Sequence, residues 1–112
     1  MIVAILSDAS KTETLLNNLS EADFNLGDAS VIMKDVKLRK AIAKDAGPLK
    51  NIALKDVSNE LVKKAGLSQE AAKRCRQAIE DGHVLVVMNV ADQYLPAARE
   101  MFQDQSAQLI NK

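Results

Sequence analysis

The sequence predicts an α+β domain of the ferredoxin-like class, a βαβ-βαβ sandwich with a helical insert between strands 2 and 3. Two short, almost continuously apolar segments, Ile2–Leu6 and residues 84–90, are typical of buried strands. A helical pattern follows each segment, and a weaker strand pattern follows each helix. The predicted order is therefore strand, helix, strand, helical insert, strand, helix, strand.

The first half of the chain begins with the strand Ile2–Leu6, and a helix is expected soon after it. Ser10 is the predicted N-cap of this helix, because Glu13 stands three residues later and completes a capping box. Apolar side chains at helical spacing continue the helix until the pattern fades near residues 22–24. After a turn, residues 29–34 are the predicted second strand.

Residues 35–81 form the predicted helical insert, in three pieces. The first piece covers residues 36–45 and ends at a Gly-Pro break. A second piece is expected to begin at Ser58. The third begins at Ser68 and ends at Gly82.

The last third of the chain repeats the strand-helix-strand order. Residues 84–90 are the third strand, residues 93–103 a helix with Pro96 in its first turn, and residues 106–111 a short fourth strand. In the ferredoxin-like plan the first and third strands are central, whereas the second and fourth are edges. The predicted edge strands carry the polar residues that edges tolerate: Ser30, Lys34, Ser106, Gln108 and Asn111.

The two predicted central strands are apolar on both faces, although a ferredoxin-like sheet usually leaves one face to solvent. We therefore expect the helical insert, or a second copy of the chain, to cover the other face. Alternation assigns the central side chains to two faces. One face is predicted to hold Val3, Ile5, Val84, Val86, Met88 and Val90, and the other Ile2, Ala4, Leu6, Leu85 and Val87. The alternative, a doubly wound parallel sheet, needs more strands than the sequence shows.

Size and composition favour one folded domain over residues 1–112. The chain is 47% hydrophobic and 27% charged, which is typical of a globular core with a charged surface. Its one cysteine cannot close an intrachain disulfide, and the N-terminal residues do not resemble a signal peptide. No apolar run approaches the roughly 20 residues that span a bilayer. We expect a cytoplasmic protein with no membrane contact.

Charge is distributed unevenly along a chain whose formal net charge is zero, with 15 Lys and Arg against 15 Asp and Glu. Residues 34–76 contain 12 Lys and Arg but 5 Asp and Glu, and the remaining residues contain 3 and 10. The predicted partner surface consists of Lys37, Arg39, Lys40, Lys44, Lys73, Arg74 and Arg76. These residues would bind an acidic protein, or the acidic part of a second copy in a head-to-tail arrangement, or they would simply be solvated helix faces. The basic segment has no aromatic side chain to stack on bases, so no nucleic-acid binding is expected.

A polar loop at the end of the first strand is the predicted ligand site. Its residues are Ser7, Asp8, Ser10 and Lys11, and its backbone amides and the lysine could hold an anion or a small ligand. The other interpretation is ordinary capping of the first helix by Asp8 and Ser10.

Other chemical signals are weak. The four glycines are isolated at element boundaries, so no glycine-rich nucleotide-binding loop is present. His83 is the only histidine and lacks a neighbouring ligand at metal-binding spacing. Cys75 falls on the apolar face of a predicted helix, where a thiol acts as a small hydrophobe. We therefore predict no catalytic, cofactor-binding or metal-binding residues, no cofactor and no enzymatic activity.

Two stretches of the chain, residues 2–16 and 65–107, resemble the small general stress proteins of the YflT type, which are bacterial domains. The similarity lies in AGLSQEAA at 65–72, in AIEDG at 78–82 followed by an apolar strand, and in AARE at 97–100. The resemblance implies a stress-linked, soluble, non-enzymatic protein and transfers no site residue.

The sequence departs from this family after the second strand. Many relatives have a glycine-rich apolar insert there, whereas residues 37–57 are charged and nearly free of glycine. Membrane association is therefore not implied. The first functional hypothesis is protein interaction or self-association, with a homodimer as one form. The alternative is a small-molecule-binding regulatory domain of the ACT-like kind, with a ligand site at a dimer interface.

Overall fold

In a computed structural model that describes residues 1–50 and 52–110, the chain forms a mixed α+β fold with a four-stranded antiparallel sheet and five α-helices. The strands are β1 (Ile2–Leu6), β2 (Ala29–Ile32), β3 (Val84–Met88) and β4 (Gln108–Leu109). The helices are α1 (Ala9–Glu21), α2 (Val36–Ile42), α3 (Val57–Ala65), α4 (Gln69–Glu80) and α5 (Leu95–Asp104). Single 3-10 turns precede β2, α3 and α5, at Leu26–Asp28, Leu54–Asp56 and Asp92–Tyr94.

The sheet has the strand order β2-β3-β1-β4, and every neighbouring pair is antiparallel. The prediction that the first and third strands are adjacent and central is thus confirmed, and the parallel alternative is wrong. Strands β2, β3 and β4 are shorter than predicted, and β4 contains two residues. Asn111, assigned to the fourth strand, lies outside the described residues.

The register of the central pair corrects the predicted assignment of side chains to faces. Ala4 lies opposite Val86, and residues directly opposite each other point to the same face. One core cluster therefore contains Ile2, Ala4 and Leu6 together with Val84, Val86 and Met88, and the other contains Val3 with Leu85 and Val87. The prediction had the two strands out of phase by one residue, because continuous apolar runs do not show their phase.

Both faces of the sheet are covered by helices of the same chain. On one face, α1 and α5 contribute Leu15, Leu19 and Phe102 to the core. On the other, α3 and α4 contribute Leu61 and Ile79. The second cover that the central strands require is therefore the helical insert.

Two of the predicted helix starts are wrong. The N-cap of α1 is Asp8, whose carboxylate accepts a hydrogen bond from the Lys11 amide at 2.8 Å, and Ser10 lies within the helix. Asp8 takes this role because it is the extended residue at the point where the chain turns into the helix. Helix α3 begins at Val57, so Ser58 is not its cap. Ser68 caps α4 as predicted, accepting a hydrogen bond from the Ala71 amide at 3.1 Å.

The outer edge of β2 is covered by the segment of residues 43–49 that follows α2. The Gly47 amide donates to the Gly27 carbonyl at 2.9 Å, and the buried Ser30 side chain of β2 bonds the backbone of the same segment. This cover positions α2 beside the sheet, because α2 leads directly into the segment.

No helix among residues 1–50 and 52–110 combines the length and the apolar composition needed to cross a bilayer.

Candidate functional site

The four residues of the predicted ligand loop lie together where β1 turns into α1, but three of them serve the helix start. The Asp8 carboxylate accepts the Lys11 amide, and its carbonyl accepts the Thr12 hydroxyl at 2.9 Å. Ser10 and Lys11 are in the first turn of α1. Ser7 lines a cavity beside the sheet, and Asp8 lines a different one together with Lys34 and Leu38.

This cavity, here called the β4 groove, lies between α4 and the edge of the sheet and has a volume of about 430 Å³. Its floor is apolar, formed by Ile5, Ala78 and Ile110. The polar lining residues are Ser7, Arg74, Gln77, Asp81, His83, Ser106 and Gln108. The groove thus brings Ser7 of the predicted loop together with Arg74 of the predicted partner surface.

Hydrogen bonds already fix part of the groove. The Gln77 amide donates to the Asp81 carboxylate at 3.0 Å, and Nδ1 of His83 lies 3.4 Å from the Ser7 carbonyl oxygen. Arg74 takes part in none of the ion pairs found among the described residues. Its guanidinium, with the nearby hydroxyl groups, has the donors that a small carboxylate requires.

A second cavity, here called the α2 cavity, lies between α1, β2 and α2 and has a volume of about 470 Å³. Its lining comprises Leu16, Leu26, Gly27, Ala29, Val31, Lys40, Ala41, Ile42, Ala43, Lys44 and Ala46. Most of these side chains are apolar, and the two lysines belong to the predicted partner surface.

The predicted partner surface is divided between two edges of the sheet. Lys40 and Lys44 line the α2 cavity beside β2, and Lys37 is exposed on α2. Arg74 lines the β4 groove, and Lys73 lies where α3 meets α4. Since β2 and β4 are the two outer strands, the residues on α2 and Arg74 are at opposite edges.

Two arginines of that surface are already paired. Arg39 forms an ion pair with Asp45, and its hydrogen bond lowers the pKa of the Asp45 carboxyl below the ordinary value. Arg76 contacts Glu80 at 3.4 Å and donates to the Lys55 carbonyl at the same distance. Both guanidinium groups therefore have intramolecular partners.

Cys75 lies in the core, whereas His83 lines the β4 groove. Cys75 is buried in the core cluster of the insert, and burial raises its pKa to about 11. A thiol in this state is protonated near neutral pH and packs as an apolar group. The residues that the structure describes include no group of three or more His, Cys, Asp or Glu side chains arranged for a metal ion.

Sequence reasoning missed the three large apolar side chains that are most exposed: Val36 at 52%, Leu38 at 40% and Tyr94 at 53%. Val36 and Leu38 flank Lys37 in α2. Tyr94 packs edge-to-face on Phe24, with ring centroids 6.2 Å apart. The signal available in the sequence was an apolar pair inside a charged segment and the single tyrosine of the chain.

Comparison with protein-family models, with curated protein sequences and with solved structures found no match. The resemblance to the small general stress proteins therefore stays a prediction.

Proposed function

We propose that this protein is non-enzymatic and acts by self-association, with two different surfaces of the chain meeting head to tail. The observation that carries the proposal is that the most exposed apolar side chains lie in surroundings of opposite charge. Around Val36 and Leu38, four basic residues at positions 34, 37, 39 and 40 outnumber the carboxylates Asp8 and Asp35, whereas Tyr94 lies close to Asp92.

The first of these surfaces, the α2 surface, consists of Lys34, Val36, Lys37 and Leu38. All four side chains are exposed. Burial of this apolar pair against an apolar, acidic patch is favourable, because apolar surface leaves water and the lysines meet carboxylates.

The second, the Tyr94 surface, consists of Asp23, Phe24, Asp92 and Tyr94. The contact between the two rings brings their neighbours close, since Asp23 directly precedes Phe24 and Asp92 is two residues before Tyr94. Both carboxylates are on exposed residues. This surface offers an aromatic anchor with negative charge around it, which complements the α2 surface.

Two copies of one surface would repel each other, so the association is heterologous, with the α2 surface of one copy on the Tyr94 surface of the next. Exposed charges attract weakly and are screened by salt. The self-association is therefore weak and decreases as salt is added. An acidic protein partner is the variant of this proposal in which another chain replaces the Tyr94 surface.

The experiment is sedimentation velocity over a range of protein concentrations, at about 50 mM and about 500 mM salt. Two double variants each disable one surface: Val36→Glu with Lys37→Glu, and Asp92→Lys with Tyr94→Ser. Each should be monomeric alone. An equimolar mixture should form a dimer and nothing larger, because one intact surface remains on each partner.

Lys63→Glu is the matched control, because it reverses an exposed helical lysine outside both surfaces and should associate like the wild type. A wild-type chain that stays monomeric at low salt, or a mixture that stays monomeric, would overturn self-association. Binding of an acidic protein that requires Lys37 would then favour the other partner.

The remaining parts of the proposal have separate support. A ferredoxin-like arrangement is supported by the strand order β2-β3-β1-β4 and by the packing of α1 and α5 on one face. The stress-linked role rests on the sequence resemblance alone, and the cytoplasmic location on the single cysteine of the chain.

A small-molecule-binding regulatory domain of the ACT-like kind is the second candidate. It is favoured by the β4 groove, in which Ser7, Arg74 and His83 surround an apolar floor. A thermal-shift screen of small carboxylates should find a ligand that raises the melting temperature of the wild type but not of Arg74→Gln. An equal shift in both proteins would remove this candidate.

A further inference from the structure

We propose that the α2 cavity binds a single-chain aliphatic carboxylate of about ten carbons. The site is independent of the α2 surface, because the cavity lies on the inner side of α2, against α1 and β2. It is also separate from the β4 groove, which lies at the other edge of the sheet.

The cavity has an apolar interior. Leu16, Ala29 and Val31 form a floor of buried side chains, and Leu26 and Ile42 form half-buried walls. The volume of about 470 Å³ falls within the roughly 300 to 1,000 Å³ of small-molecule sites.

Small residues keep this space open where larger ones would fill it. Gly27, Ala29, Ala43 and Ala46 all contribute to the lining. The chain at this place is held by the bond between the Gly47 amide and the Gly27 carbonyl, so the segment after α2 is fixed against the sheet across the cavity. The cavity therefore depends on the hydrogen bond that fixes this segment against the sheet.

The mouth of the cavity is positively charged. Lys40 and Lys44 both contribute to the lining, and the lining contains no carboxylate among the described residues. Neither lysine forms an ion pair within residues 1–50 and 52–110. Asp45, the carboxylate next to Lys44 in sequence, is bound by Arg39. Lys40 lies close enough to Asp45 to lower the pKa of that carboxyl, but it forms no ion pair with it among the described residues, so both ammonium groups can contact an anion.

An apolar interior behind a cationic mouth selects a ligand with an apolar tail and an anionic head. A nucleotide or sugar would leave its polar groups unpaired against leucine, isoleucine, valine and alanine side chains. A free inorganic anion would leave the apolar interior unused. An aliphatic carboxylate satisfies both parts of the site, and each methylene buried should tighten binding about fourfold.

Titration calorimetry with three probes tests this selection: decanoate, hexanoate with the same head and a shorter tail, and decyltrimethylammonium with the same tail and opposite charge. Decanoate should bind at least about 50-fold more tightly than hexanoate, and at least about tenfold more tightly than the cation. Equal binding of decanoate and the cation, or no decanoate binding at millimolar concentration, would overturn the proposal.

Variants locate the site. Lys40→Gln with Lys44→Gln should weaken decanoate binding at least about tenfold and remove the preference over the cation. Ala43→Leu should fill the cavity and abolish binding, while the melting temperature without ligand stays the same or rises. Lys63→Gln is the control and should bind as the wild type does. Unchanged affinity in the lysine pair or in Ala43→Leu would place decanoate elsewhere and overturn the proposal.

The double variant Val36→Glu with Lys37→Glu separates the two proposals. It should keep decanoate affinity within about twofold of the wild type, because neither residue lines the cavity. Loss of self-association with retained decanoate binding supports both proposals. A chain that never associates yet binds decanoate overturns only the proposed function.

Discussion

The side-chain oxygen of Ser30 accepts a hydrogen bond from the Leu49 amide at 2.7 Å and donates to the Ala46 carbonyl at 3.0 Å. Ser30 belongs to β2 and is 2% exposed. One hydroxyl therefore holds the segment after α2 against the outer edge of the sheet, and it satisfies a backbone donor and a backbone acceptor that would otherwise be unpaired.

Ser30→Ala should lower the free energy of unfolding by about 1–3 kcal/mol, because it leaves the Leu49 amide buried without a partner. Urea denaturation measures this change. Ser20→Ala, on the exposed face of α1, is the control and should stay within about 0.5 kcal/mol of the wild type. Equal stabilities of the two variants would contradict the role given to Ser30.

Gly47 and Gly82 form a second matched pair, since both have positive φ, at +77° and +96°. A Cβ at Gly47 would clash with the backbone of Ala29 and Ser30, whereas a Cβ at Gly82 would meet open space. Gly82→Ala should cost about 1 kcal/mol from backbone strain alone. Gly47→Ala should cost at least about 2 kcal/mol more, measured in the same urea series. Similar costs would show that the segment can move away from β2.

The start of α1 distinguishes Asp8 from Ser10. Asp8→Ala removes the cap and should cost about 1 kcal/mol. Ser10→Ala places a better helix former inside the first turn and should leave stability unchanged or slightly higher. If Ser10→Ala lowered the melting temperature more than Asp8→Ala, Ser10 would be the cap.

Cys75 should make stability depend on pH in the alkaline range. Burial raises the pKa of its thiol from 9.0 to about 11, so the unfolded chain loses this proton at lower pH than the folded chain. The contribution of the thiol to the free energy of unfolding is therefore fully present below pH 9. As the pH rises towards 11, this contribution decreases by about 2 kcal/mol. Urea denaturation between these pH values should show this decline in the wild type and a smaller one in Cys75→Ala.

Two further results are expected of Cys75. Cys75→Ala should fold and lose on the order of 1 kcal/mol at neutral pH, through loss of a small buried group. The native thiol should react slowly with a labelling reagent, because it is buried. Rapid labelling of the native protein would contradict a packing role.

Nucleic-acid binding is expected to be weak or absent. The basic residues that would contact phosphates lie at opposite edges of the sheet, with Lys40 at one and Arg74 at the other. A salt titration of binding to mixed-sequence DNA should show no tight complex, and Lys40→Glu with Arg74→Glu should behave like the wild type. A submicromolar, salt-sensitive affinity for DNA would contradict this expectation.

The sequence was sufficient for the order of elements and for the central strands. Ile2–Leu6 is predicted to the residue, because an apolar run bounded by polar residues has clear ends. The sequence could not show which side chains of β1 and β3 share a face, because a strand that is apolar on both faces has no alternation of polar and apolar residues. Asp8 and Ser10 are equally good caps, so the choice between them depends on where the chain leaves the sheet.

The candidate sites could be predicted from the sequence less well than the fold. Ser30 had the polarity of an edge-strand residue, but its hydroxyl is buried by a segment that lies 16 to 19 residues later in the chain. The α2 cavity combines side chains of α1, β2 and α2, none of which carries a motif. Ser7 and Arg74 were predicted in separate sites, and the packing of α4 on the sheet brings both to one groove.

The strand order also determines when this protein can fold during synthesis. Both neighbours of β1 come from the last third of the chain, and Ile2 pairs with Met88, so roughly 85 residues lie between these partners. When the first helix and the insert have left the ribosome, β1 has left it too but has no neighbouring strand to pair with. Until β3 emerges, an apolar strand with two unpaired edges is exposed in the nascent chain, which is the stage at which a chaperone would have most to protect.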